Sequence, residues 1–173
     1  MQLIFFKKSI FVFLALLPAA ANAQNSSDTT AVKEILREEV FSWNKGDAVT
    51  YSQRFAENGT FTNVLGMFFT GHQAFLDRHV EIFKGKFHKT TLSQNIVSLQ
   101  FVRPDVAIVE TLTWITGFSK AGPPPGTHLD AKGRLFTRLL QVMVKDKDGW
   151  KITVYHNVDV KPGTTVPDVK AGL

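Results

Sequence analysis

Cysteine is absent from the 173-residue chain. That excludes disulfides, thiolate nucleophiles, cysteine-ligated zinc and a lipid-modified N-terminal cysteine, so folding rests on the core alone. Long apolar runs are missing too. The run Ile10 to Ala21 has 12 residues, broken by Pro18, where a membrane-spanning helix needs about 20. Charge is not clustered: 20 Lys+Arg and 15 Asp+Glu are spread along the chain, so the net +5 does not build the basic surface that a phosphate backbone demands, and no nucleic-acid partner is expected. The five histidines, at 72, 79, 88, 128 and 156, show neither His-x-His nor His-Glu-x-x-His spacing, so no metal is expected. No Gly-x-Ser-x-Gly elbow, phosphate loop or dinucleotide fingerprint occurs, which leaves hydrolase and nucleotide-binding readings without a motif and implies no cofactor.

What is present suits one packed domain, with 44% apolar residues and 15 Phe. Lys7 and Lys8 precede the apolar run, and Ala21-Asn22-Ala23 follows it with the small-x-small pattern of a signal-peptidase site. The expectation is an exported protein, periplasmic or secreted, with a leader over 1–23, a polar tail over 24–29, a domain over 30–160 and a C-terminal tail over 161–173. After cleavage no membrane association is expected.

Val32, Ile35, Leu36, Val40 and Trp43 fall at helical spacing, with Asp28 or Thr30 as cap and Gly46 as stop, which predicts a helix over about 30–45. Asp47 caps a second helix carrying Ala48, Tyr51 and Phe55, closed by Asn58-Gly59 at about residue 57. Thr60 to Val64 and Met67 to Thr70 read as a short strand pair, and 72–84 as a third helix with Phe75, Leu76, Val80 and Phe83 inward. Strands follow over 92–101, 106–118, 135–145 and 150–160 as an antiparallel meander. Residues 119–132 hold Gly122-Pro123-Pro124-Pro125-Gly126, cannot pair along their length, and read as a mobile flap or a partner contact. The outcome is a segregated α+β architecture with three N-terminal helices on one face of a curved sheet.

Two histidines interrupt apolar patterns. His79 is four residues from both Phe75 and Phe83. His156 alternates with Trp150, Ile152, Val154 and Val158. Each is either a core histidine satisfied by one hydrogen bond or a cavity group able to bind a ligand or move a proton. Glu110 and Arg138 interrupt apolar strand faces within a residue or two of facing each other, as a structural ion pair or a ligand site. Asn63 either serves the turn that follows it or points its amide into a cavity.

The ordered set Trp43-Asn44-Lys45-Gly46-Asp47, Phe55 through Phe61, Asn63-Val64-Leu65-Gly66, Gly71, His79, Arg103 through Ala107, Gly149 through Ile152 and His156-Asn157 resembles the nuclear-transport-factor-2-like superfamily, closest to its SnoaL-like and SgcJ/EcaC-type proteins. The resemblance spans about residues 30–160. It implies a cystatin-like cone with three helices on a strongly curved, mainly antiparallel sheet, an apolar cavity at its wide end, and frequent homodimers. The superfamily includes ketosteroid isomerases, polyketide cyclases, dehydratases and proteins with no assigned reaction. The isomerase's catalytic Asp falls at Asn63 and its oxyanion-hole Tyr near Glu39. An amide is no base, and a glutamate is not expected to serve as a neutral donor in place of a phenol, which disfavours that mechanism.

The resulting expectation is a small, largely apolar or aromatic ligand in the cone. His79 and His156 are the candidates for chemistry, and Tyr51, Asn63, Met67, Phe69, Trp114, Arg138 and Glu110 the candidates for binding. An isomerase, cyclase or dehydratase with a His general base is the first alternative. A structural or interaction module, with a cavity filled by its own side chains, is the second.

Overall fold

The computed structural model describes residues 17–167 and 169, with side chains from Ser26 onward. α1 (Leu17–Lys45) and α2 (Ala48–Ser52) lead into β1 (Phe55–Thr62) and β2 (Phe68–Thr70); α3 (His72–Lys84) precedes β3 (Thr91–Arg103), β4 (Val106–Thr116), β5 (Leu135–Asp146) and β6 (Gly149–Asp159). The six strands form one sheet in the order β2-β1-β6-β5-β4-β3. All neighbours are antiparallel except β1 and β6, which run parallel and join the N-terminal half to the last strand. The result is an α+β cone, its helices packed against one face of the sheet. Among the described residues no helix is long and apolar enough to cross a membrane.

In α1 the stripe Val32, Ile35, Leu36 and Trp43 is buried, and the helix stops where Gly46 takes φ 67 and donates its N–H to the Trp43 carbonyl. Asp47 caps α2, accepting from the N–H groups of Val49 and Thr50. α3 buries Phe75, His79 and Phe83 along one side.

Several expectations are corrected. α1 begins at Leu17 rather than near 30, so Asp28 is no cap: it lies inside the helix, accepting from Lys145 Nζ at 2.6 Å and Trp150 Nε1 at 3.1 Å. The expected cleavage point after Ala23 falls within this helix, and residues 1–16 of the leader lie outside the described residues. α2 ends at Ser52 rather than 57, because Phe55 already pairs with Ile152 of β6. Tertiary pairing overrides the turn signal of Asn58-Gly59, with a register shift between Phe55 and Thr60 absorbing it.

The consequential correction is in β6. Met143 pairs with Ile152 and Val142 with Val154, so Thr153 is an extra residue, and its hydroxyl donates to the Val142 carbonyl at 3.0 Å. A one-residue bulge flips every later side chain to the other face. Beyond it Tyr155 is buried, Asn157 is half-buried and lines the interior, and His156 is exposed.

Candidate functional site

The interior between α3, β1 and β6 is built of aromatic rings. Phe75 stacks on Phe55 with centroids 4.0 Å apart, meets Phe61 edge-on at 5.1 Å, and lies 4.2 Å from the His79 ring. The hydroxyls of Tyr51 and Tyr155 share a hydrogen bond of 2.8 Å beside them. What remains open is a cavity of about 50 Å³, walled by Trp43, Phe61, Ile82 and Tyr155. Asn63, Arg78, His79 and Asn157 are its polar members, and Val64, Leu65 and Pro124 lie at its rim.

His79 is 2% exposed. Its Nδ1 lies 2.7 Å from the Phe75 carbonyl, which can only accept, so Nδ1 carries the proton and Nε2 keeps a lone pair with no protein partner among the described residues. Burial pushes the ring's pKa down to about 4, so the imidazole is neutral at physiological pH. Asn63 serves the turn: its Oδ1 accepts from the N–H groups of Leu65 at 2.9 Å and Met67 at 3.1 Å, and its backbone N–H donates to the Met67 carbonyl. It also lines the cavity. Two further polar atoms, Arg78 Nε and Asn157 Oδ1, are buried without a partner.

The other candidates are dispersed. Tyr51 is buried behind the cavity, Phe69 stacks on Phe61 at 5.5 Å, and Met67 is exposed on the turn. Trp114, Arg138, Glu110 and His156 lie on the opposite, outer face of the sheet, so none reaches the cavity. There Trp114 stacks on Phe136 at 5.2 Å with Arg134 over its ring, and Arg138 pairs with Glu110 at 3.2 Å, a diagonal contact between β4 and β5.

A second buried polar group lies between α1 and the sheet. Glu39 is 3% exposed and accepts from Gln141 Nε2 at 2.6 Å, while Gln94 Nε2 donates to Thr111 Oγ1 at 3.1 Å nearby. Burial raises the Glu39 pKa to about 8, against hydrogen bonds from Gln141 and Gln94 that lower it. Burial thus favours the neutral acid at neutral pH. Glu39 faces Gln141 rather than the cavity, so it supplies no oxyanion contact there. Sequence reasoning placed it only by alignment, although its position three residues after Leu36 and four before Trp43 sets it in the buried stripe.

No protein-family description and no curated protein matches the chain. Solved structures do. A cystatin-like domain of unknown function from Nostoc punctiforme is 20% identical, with a TM-score of 0.67 over 79% of this chain and 80% of that one. An NTF2-like protein with a cystatin-like fold from Novosphingobium aromaticivorans is 15% identical, with a TM-score of 0.67 over 88% and 94%. A ketosteroid isomerase-like protein from Erwinia carotovora atroseptica is 14% identical, with a TM-score of 0.59 over 77% and 96%. The fold is thus the cystatin-like fold of the nuclear-transport-factor-2-like proteins. At these identities the likeness is one of architecture, and function rests on the site.

Proposed function

We propose that the protein binds a small, largely apolar or aromatic molecule carrying a hydroxyl group, in the cavity beside His79. The observation that carries this reading is the His79 ring: locked by the Phe75 carbonyl, neutral, and left with an acceptor nitrogen in a wall of aromatic side chains. A polar group is retained in an apolar cavity at a cost, and a ligand hydroxyl donating to Nε2 offsets it. The open space of about 50 Å³ holds one or two waters, so the ligand enters by displacing the rim at Leu65 and Pro124.

An isomerase, cyclase or lyase is the second reading, favoured by the fold shared with a ketosteroid isomerase-like protein. It is the weaker one. Asn63 stands where the isomerase resemblance puts its base, and a histidine with a pKa of about 4 is a poor general base at neutral pH. The test is a set of thermal melts of wild type and His79→Leu against aromatic acids, phenols and apolar ketones. Wild-type stabilisation by a hydroxyl compound, weakened by roughly 1–3 kcal/mol in the variant, supports binding. Stabilisation by none of them overturns it, and turnover lost in His79→Leu promotes the enzyme.

The reading includes export by the leader, checked by intact mass with Gln24 at the N-terminus, and pairing of two copies through the outer sheet face. There Trp114 and Phe136 are half-buried, while Leu140 and Val158 are 38% and 50% exposed. Light scattering at micromolar concentration reporting a monomer removes the dimer.

A further inference from the structure

The connection from Gly117 to Arg134, between β4 and β5, crosses the rim of the cavity. Pro124 belongs to the cavity wall, and a methyl group placed on Gly126 would stand 4.0 Å from Leu65 Cδ2 on the opposite side. The two ends of the loop are anchored, by Phe118 against Phe87 with centroids 5.6 Å apart and by a bridge of Leu129 to Leu135, while its middle has fewer ties. Lys86 Nζ donates to the Ala121 carbonyl at 2.8 Å in an exposed position. A further tie is to a buried acid: His128 Nδ1 donates to Asp159 Oδ2 at 2.9 Å, and Lys161 Nζ donates to the same oxygen at 2.9 Å. The Asp159 side chain is 3% exposed and its Oδ1 has no partner, so the carboxylate depends on those two donors.

We propose that loop 117–134 is the gate of the cavity and that the contact of His128 with Asp159 is its latch. This rests on the reading of the cavity as the binding site and adds how that site is opened. The space of about 50 Å³ lies far below the roughly 300–1,000 Å³ of a ligand pocket, so a ligand fits only if the rim moves. Both edges of the loop carry glycines in the left-handed region, Gly117 at φ 83 and Gly133 at φ 72, where a rotation costs little. Release is cheap for a second reason. Lys161 lies beyond β6 and does not travel with the loop, so when His128 leaves, the Asp159 carboxylate keeps one cation and its bare oxygen meets water.

Hydrogen exchange followed by mass spectrometry on the full chain tests the latch without any ligand. His128→Ala, at a half-exposed side chain, and Asp159→Asn are each expected to speed exchange in peptides covering 118–130 by at least tenfold, with β4 and β5 peptides unchanged. Trypsin cleavage at Lys120 and Lys132 should accelerate in parallel. Unchanged loop exchange in both variants overturns the latch. Acceleration throughout the chain in both overturns it as well, because the contact then only stabilises the fold. Stopped-flow binding of 2-naphthol tests the gate: a faster association rate in His128→Ala supports it, and an equal rate with a loosened loop overturns it. If wild type shows no saturable 2-naphthol binding, the choice of ligand class fails, and the exchange data alone decide the latch.

Discussion

Two buried regions sit side by side in this cone and solve the same problem in opposite ways. One, under α3, is almost wholly aromatic and encloses His79; the other, between α1 and the middle strands, sets Glu39 among Gln94, Thr111 and Gln141. Burial keeps both titratable groups uncharged, by lowering one pKa to about 4 and raising the other to about 8. The costs differ. An unfolded histidine is already mostly neutral at pH 7, so His79 costs little there, whereas an unfolded glutamate is ionised and folding must take up a proton at Glu39. The aromatic region is therefore adapted to neutral pH, and the polar region is a standing liability in it.

That contrast can be broken at either end. The largest effect is expected from Phe75→Ala, which empties the ring stack of a fully buried Phe and should cost about 3–5 kcal/mol in urea unfolding. Glu39→Gln should do the reverse, stabilising by about 2–3 kcal/mol at pH 8, because an amide keeps a hydrogen-bonding partner for Gln141 with no proton to lose. The pH profile sharpens the comparison. Glu39 has a raised pKa, so its stability is fully present below the unfolded value of 4.5 and is lost as pH rises through about 8. His79 has a lowered pKa, so its stability is present above 6.5 and is lost as pH falls toward about 4. Melts across pH 4 to 9 should show stability falling above about pH 6.5, where Glu39 alone of the two titrates, and Glu39→Gln should remove that fall. The smallest effect belongs to the outer face, where Glu110→Ala, removing a partly exposed partner of Arg138, should cost less than about 1 kcal/mol.

The sequence carries much of the architecture, and its failures have physical causes. α3 and the four long strands stand close to where periodicity puts them, because a buried face repeats in the sequence. His79 lines the interior for the same reason. His156 does not, since alternation assumes an unbroken strand and the extra residue at Thr153 leaves no mark in composition. Trp114, Glu110 and Arg138 were ambiguous because β4 and β5 are apolar on both faces, so alternation cannot tell inside from outside. The His128 contact with Asp159 joins residues 31 apart, one in a loop without periodicity, and only the folded chain shows it.

The parallel pairing of β1 with β6 has a consequence in time rather than in energy. Phe61 meets Tyr155, and Asp28 meets Lys145 across 117 residues, so the sheet-side partners of the first strand and of the start of α1 exist only when the end of the chain does. Closing so long a loop is slow, and contacts of this separation place the protein among the slower-folding topologies. A nascent chain emerging from the ribosome can form α1 and the hairpin of β1 with β2, but it cannot complete its sheet until Asp159 has been added. The sheet is thus completed only when synthesis is nearly over.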